Sequence, residues 1–308
     1  MPKPTISIVL PTYNGSKYIR KSIESCLHQS FTDFELIVVN DCSIDDTLSI
    51  VQEYAKGDAR IRIINNEFNK KLPLSLNAGF EKAQGQYFTW TSDDNFYGPE
   101  ALKTLYHTMH ADSSIDLVYT DYYIIDDNDK VTGTRNFGDV NQSFNRWLGA
   151  GACFLYKKEI HWANNGYNPA AFLIEDYDFF CRAFMRFNFK YLPTPEHYYY
   201  REHGGSLTAA HKIAVNDISK IFLERNLPGL EKKLTPHEIG LVYRKLAVYY
   251  AVTKSHPPKY YQYLSKLRNV SLSQVLISVI YVFFKKTMNA ILIGFIGIFY
   301  FLKLLFKK

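Results

Sequence analysis

No aspartate or glutamate follows Glu238, although eleven lysines and arginines do, from Arg244 to Lys308. The formal charge of +6 therefore conceals an acidic body, with 25 cations against 30 anions up to Glu238, and a wholly basic end. This asymmetry points to an anionic partner for the tail alone, and its Ile, Leu and Phe content favours a membrane surface over nucleic acid. Cysteine is also sparse: Cys26, Cys42, Cys153 and Cys181 show neither paired nor metal-type spacing, which fits reduced thiols in the cytosol. The opening MPKPTISIVLP has too short an apolar run for an export signal and reads directly into a strand, so the body is expected to face the cytoplasm. No G-x-G-x-x-G turn is present, which argues against dinucleotide oxidoreductases. The first loop, PTYNGSKY, also lacks the glycine-rich, Arg-containing character expected of a sugar-nucleotide pyrophosphorylase. Neither apolar run near the end reaches the about 20 residues of a spanning helix. Val275 to Phe284 stops at Lys285 and Lys286, and Met288 to Leu302 stops at Lys303. Interfacial or re-entrant helices are the first expectation there, with a single span through Phe306 or a hydrophobic oligomer interface as the other readings.

What is present in the first hundred residues is a strict alternation. The β-rich runs TISIVLP, FELIVVN, IRIIN and YFTWT are separated by helical patterns near Lys17–Gln29, Asp45–Ala55 and Pro73–Ala83. Right-handed βαβ crossovers and a mainly parallel sheet follow, with ligands expected outside the carboxyl ends of the strands. PTYN, NDCS and TSDDN then share one rim. From about Pro99 to Leu207 shorter strands and turns take over, including DLVYTDYYIID, a hairpin signal at DDNDKVTG, a helix starting near Glu175 and the aromatic strand HYYYREH. Helical patterns punctuated by NLPG and SHPPK fill 209–268. The expected order is a mainly parallel α/β half over 1–98, an α+β half over 99–208 that completes the site, a helical extension over 209–268 and an amphipathic, membrane-associated segment over 269–308.

Asp93 and Asp94 stand side by side behind a buried-type strand, where their mutual repulsion costs stability unless a cation or hydroxyl-rich ligand compensates. Hard carboxylate oxygens select Mg²⁺ or Mn²⁺, commonly shared with nucleotide phosphates. Asp41 ends the second strand and reads as functional. Asp45 and Asp46 read as helix-start residues, with Ser43 as the cap of a capping box. Glu175 and Asp178 suit the start of a helix electrostatically.

The stretches from SIVLPTYNGSKY through VVNDCSIDDT, LPLSLNAGFEKAQGQYFTWTSDDN, IEDYDFFCR and YREHGGSLT occur in an order that resembles the signatures of family 2 glycosyltransferases, which have the GT-A fold. They cover about Thr5 to Thr208, and the resemblance implies that 1–98 is the nucleotide-sugar-binding half and 99–208 the acceptor-binding half of a GT-A domain. The resemblance implies that Pro11, Thr12 and Tyr13 pack around the nucleotide base and that Asp41 hydrogen-bonds it. It implies that Asp94 binds Mn²⁺ or Mg²⁺ and that Asp93 reaches the ribose, although Ser92 stands where the leading acid of the motif is usual. Asp176 corresponds to the base that accepts the acceptor hydroxyl proton, with inversion as the outcome. His203 corresponds to a residue contacting metal or phosphate, its alternative being structural, and Arg201 beside it offers a cation for the same diphosphate. Asn77 either flanks the donor, with Lys70 or Lys71 supplying the charge missing at Leu76, or is a buried helix residue. The expected partners are a nucleotide sugar, UDP-linked, and a polyprenyl-diphosphate-linked saccharide at the cytoplasmic face of the membrane. No nucleic acid is expected, a homo-oligomer is compatible, and a non-catalytic membrane-tethered sugar or lipid binder is the rival from another class.

Overall fold

The computed structural model describes residues 3–147, 149–150, 152–204, 212–253 and 255–282. Four parallel strands carry the first hundred residues: β1 (Ile6–Thr12), β2 (Phe34–Asn40), β3 (Ile61–Asn65) and β4 (Tyr87–Trp90). They alternate with α1 (Ile19–Leu27), α2 (Thr47–Gly57) and α3 (Lys71–Lys82). The continuous apolar runs predicted strands buried on both faces, and every residue of β1 and β2 is buried. One glycine sets how closely α3 lies on this sheet. A Cβ at Gly79 would come within 2.4 Å of the Val9 side chain.

The remaining elements of this part are β5 (Phe96–Tyr97), α4 (Ala101–Ala111), β6 (Leu117–Thr120), β7 (Tyr122–Ile125), β8 (Val131–Arg135) and α5 (Val140–Ser143). They are followed by β9 (Phe154–Lys157), α6 (Lys158–Ala163), α7 (Glu175–Phe184), β10 (Phe189–Leu192) and β11 (Tyr198–Arg201). The main sheet runs β10-β6-β9-β4-β1-β2-β3. It is mixed: β9 pairs antiparallel with both β4 and β6, while β10 pairs parallel with β6. A second sheet, β5-β11-β7-β8, includes the hairpin expected at DDNDKVTG. The architecture is the expected α/β one, but β9 makes the whole sheet less parallel than the sequence implied.

The chain divides into two compact units at Asn226/Leu227, within helix α8 (Lys212–Lys233). In the second unit, α9 (Pro236–Thr253) buries Val242, Leu246 and Ala247, and α10 (Pro257–Val270) buries Tyr263 and Leu267. Residues 272–282 are also helical, with an inverted pattern: Leu272, Leu276, Ile277, Val279, Ile280 and Tyr281 are exposed, whereas Ser278 is buried. Among the described residues no helix is long and apolar enough to cross a membrane. The expectation for 269–308 falls mostly on 283–308, outside the described residues.

Candidate active site

The loops after β1, β2, β3 and β4 meet at one rim, and side chains tie them together. Asn14, just past β1, adopts a left-handed backbone with φ +55°, a conformation asparagine tolerates better than most residues. Its amide nitrogen donates to Ser43 Oγ at 3.0 Å, and its Oδ1 accepts from the Ile44 N–H at 2.9 Å. Ser43 is thus spent on the neighbouring loop. Helix α2 starts only at Thr47, with Asp46 at its N-cap position and no side-chain cap bond, so Ser43 stands too far ahead to form the expected capping box. Asp45 accepts from the Thr47 N–H and the Thr47 hydroxyl on one oxygen and from the Ser16 N–H on the other, which braces the approach to α2.

Asp41 is buried behind this rim. Its Oδ1 accepts from Asn66 Nδ2 and from the Lys70 N–H, both at 2.8 Å, and its Oδ2 accepts from the Lys71 N–H at 2.9 Å. The carboxylate therefore holds the entrance to α3 while remaining at the end of β2. Pro11 is buried at the close of β1, and Tyr13 projects beyond it with 51% of its surface exposed, available to lie against a planar ligand.

Asp93 and Asp94 occupy different settings despite their adjacency. Asp93 Oδ2 accepts from the Thr12 hydroxyl at 2.5 Å, which links the first and fourth strand ends. Burial, and then the charge of Asp94, pushes the Asp93 carboxyl up to about 7. Gly15 makes room for it: a Cβ there would lie 2.1 Å from Asp93 Oδ2 and 2.7 Å from Thr12 Oγ1. Gly15→Ala should therefore displace Asp93 and cost about 1–3 kcal/mol, read as a shift of the urea midpoint. An unchanged midpoint would show that the rim yields without strain.

Asp94 faces His203, with Nε2 3.0 Å from Oδ2. Its other oxygen, Oδ1, is buried and has no hydrogen-bond partner among the described residues. A buried carboxylate oxygen left unpaired is costly, and a divalent cation is the partner whose chemistry fits an oxygen and an imidazole nitrogen at this spot. Among the described residues no three His, Cys, Asp or Glu side chains converge to hold a metal by themselves. Two protein groups are nevertheless the number expected when nucleotide phosphates complete the coordination.

Arg201 differs from the expected diphosphate contact. Only 2% exposed, it donates from Nε to the Asp94 carbonyl at 3.0 Å and from Nη1 to the Asp126 carbonyl at 2.6 Å, and its Nη2 pairs with Asp129. Its backbone N–H also donates to Asn95 Oδ1 at 2.8 Å. The guanidinium fastens the Asp94 turn to the β7–β8 hairpin. Asn77 is likewise engaged by protein: its Nδ2 donates to the Tyr167 carbonyl and its Oδ1 accepts from the Tyr167 N–H, both at 2.8 Å. This is the helix-packing alternative, and it places Asn77 in a clamp on the 166–167 turn.

Asp176 opens α7, with its Oδ1 accepting from the Tyr177 N–H at 2.6 Å. Burial raises its carboxyl to about 6. Glu175 beside it is 6% exposed and is pushed higher, to about 8, by burial and then by the charge of Asp176. The two carboxyls interact through their charges, so they titrate as a pair, and burial holds both above the ordinary carboxylate range. Glu175 Oε2 accepts from the N–H of Leu173, a residue held at φ +82°. A bulky residue in that region is strained, and the strain sits directly before the two carboxyls. Sequence reasoning assigned Glu175 only to the helix start and overlooked Thr12–Asp93 and Gly15 as a unit. The sole clue was the glycine in YNGS, whose need appears only when Asp93 is brought across from another strand.

Residues 7–191 match the profile of Glycosyl transferase family 2. The chain belongs to that family. Among curated family relatives, it is 37% identical over 117 residues to Chondroitin synthase of Escherichia coli, a match covering 38% of this chain and 17% of that protein. It is also 37% identical over 101 residues to the putative teichuronic acid biosynthesis glycosyltransferase TuaG of Bacillus subtilis, covering 33% of this chain and 40% of the relative. The matches thus span well under half of either relative's length. In three dimensions, the S. aureus TarS 1-349 structure in complex with UDP-GlcNAc overlays with a TM-score of 0.64 at 18% identity, covering 88% of this chain and 82% of that one. The mannosyltransferase PcManGT from Pyrobaculum calidifontis, in complex with GDP-Man and Mn²⁺, gives 0.59 at 16% identity, covering 89% and 78%. These overlays show that the family 2 chain has the GT-A type of fold.

Proposed function

We propose that the protein transfers a sugar, with inversion, from a UDP-sugar to a hydroxyl of a lipid-linked saccharide during assembly of a bacterial cell-surface polysaccharide. The observation that carries the reading is the unpartnered, buried Asp94 Oδ1 beside His203, at the same rim as Asp41 and Tyr13. Tyr13 and Asp41 would take the base, Asp93 the ribose, and Asp94 with His203 would hold Mn²⁺ or Mg²⁺. When bound, that ion offsets the negative charge that develops on the departing diphosphate. Asp176 accepts the proton of the acceptor hydroxyl as the oxygen attacks the anomeric carbon. The bond from that carbon to the diphosphate oxygen breaks on the opposite face, and the nucleoside diphosphate leaves with the bonding electrons.

The names of the relatives, a chondroitin synthase and a teichuronic acid enzyme, support a polysaccharide product. The UDP-GlcNAc and the GDP-Man with Mn²⁺ held by the two structural neighbours support a nucleotide sugar with a metal. The exposed apolar side chains along 272–281 and the carboxylate-free basic end support attachment at the cytoplasmic membrane face, where a polyprenyl-diphosphate-linked acceptor resides. Thermal melts with a panel of nucleotides, each with and without Mn²⁺, test the donor. A ligand at 100 times its Kd stabilises the folded state by about 2.7 kcal/mol. UDP with Mn²⁺ should raise the melting temperature most. A panel in which no nucleotide raises it, and no nucleotide sugar is hydrolysed or transferred, would overturn the reading.

A further inference from the structure

Tyr18 lies in the PTYNGSKY loop, just ahead of α1, and no role in base, ribose or metal binding falls to it. Its surroundings nevertheless converge on the metal wall. The Tyr18 ring is 5.5 Å from the His203 ring, centroid to centroid, at an interplanar angle of 53°. The Arg201 guanidinium carbon lies over the same ring, 4.5 Å from its centroid. The Tyr18 hydroxyl donates to Asp127 Oδ1 at 2.5 Å, and Lys17 Nζ stands 3.7 Å from the other Asp127 oxygen. Arg201 returns to the same hairpin through the Asp126 carbonyl and Asp129, and to Asp94 through its carbonyl. One aromatic ring therefore touches the cation that braces the Asp94 turn and the imidazole that meets the Asp94 carboxylate, and is tied at its tip to a third element.

We propose that Tyr18 is a positioning residue for the metal site, its ring holding the His203 imidazole against Asp94 while Asp127 and Arg201 fix the ring. The chemistry requires such a hold. His203 follows β11, its side chain has rotamer freedom to lose, and a two-residue protein contribution to a divalent cation depends on both groups being aimed before the ion arrives. Asp127 fixes the phenol at its oxygen, and the guanidinium fixes its face by cation–π contact. Tyr18 makes no bond to the ion and takes no part in proton transfer.

This role rests on the metal reading above, and the test separates the two. Mn²⁺ binding to the full chain at saturating UDP is followed by electron paramagnetic resonance of the free ion. Tyr18→Leu is expected to weaken Mn²⁺ binding by about tenfold or more, the range in which outer-shell residues act, while UDP affinity in EDTA stays at the wild-type value. Tyr18→Phe and Asp127→Asn, which keep the ring and loosen only its tether, are expected to weaken Mn²⁺ binding less, in the same direction. They also carry the test if the leucine variant does not fold. Wild-type Mn²⁺ affinity in the folded variants overturns the proposal, as does a parallel loss of UDP affinity in EDTA, which would mark a general collapse of the rim. A wild-type protein that binds UDP but no Mn²⁺ overturns the metal reading itself, and this role with it.

Discussion

Asp176→Asn is expected to slow sugar transfer by about 10²- to 10⁴-fold with nucleotide-sugar affinity retained, the span over which a positioned general base contributes. The substitution is nearly isosteric, and the amide oxygen can still accept from the Tyr177 N–H, so the start of α7 should hold. What disappears is the capacity to take a proton from the acceptor hydroxyl. The pH profile gives an independent signature. Asp176 must be ionised to act, and burial raises its carboxyl to about 6. Below that value the protonated, inactive form dominates, so kcat/KM of the wild type should fall as pH drops through about 6. Asp176→Asn should lose this acid limb along with most of the rate. Burial and the charge of Asp176 hold the neighbouring Glu175 carboxyl above its ordinary range, so the two titrate as a pair. Transfer undiminished in Asp176→Asn would sink the assignment of the base.

Asp94→Ala should abolish stimulation by Mn²⁺ and lower transfer by about 10²- to 10³-fold, the scale on which a lost electrostatic stabiliser acts on a leaving group. The same change should behave differently in the absence of metal. Asp94 brings a buried oxygen without a partner and a charge adjacent to Asp93, so its removal relieves two unfavourable terms while forfeiting the contact with His203. The melting temperature in EDTA is therefore expected to hold or rise even as catalysis is lost. Such opposition between stability and rate is what a site strained for function should show. Mn²⁺-dependent transfer persisting in Asp94→Ala would place the ion elsewhere.

Much of the first half was legible in the sequence because each strand is a short apolar run and each helix a periodic one, so FELIVVN and IRIIN were read with their observed limits at Phe34–Asn40 and Ile61–Asn65. Periodicity names elements but not neighbours. Nothing in FLYK says that Phe154–Lys157 inserts antiparallel between β4 and β6, because strand order is decided by packing across the whole sheet. The same limit explains the polar residues. Arg201 reads in the sequence as a cation for the diphosphate because it stands two residues before His203. Its acceptors, the Asp94 and Asp126 carbonyls and the Asp129 carboxylate, come from elements far away in the chain. Asn77 was left between two readings for want of Tyr167, ninety positions on. Asp41, Asp94 and Asp176 were legible as carboxylates at the ends or starts of elements, where burial must be answered by a partner.

For the proposed contact between Asp41 and the base, the way the carboxylate is held limits what the base can bring to it. An ionised carboxylate offers about four lone-pair positions, and Asn66, Lys70 and Lys71 fill three of them. One remains on Oδ2, and whatever meets it must bring a hydrogen. The imino N–H of uracil or guanine qualifies, as does an exocyclic amino group, whereas a bare ring nitrogen does not. The bonds that anchor α3 thus leave Asp41 a single open acceptor position, and helix anchoring and the proposed base contact share one side chain.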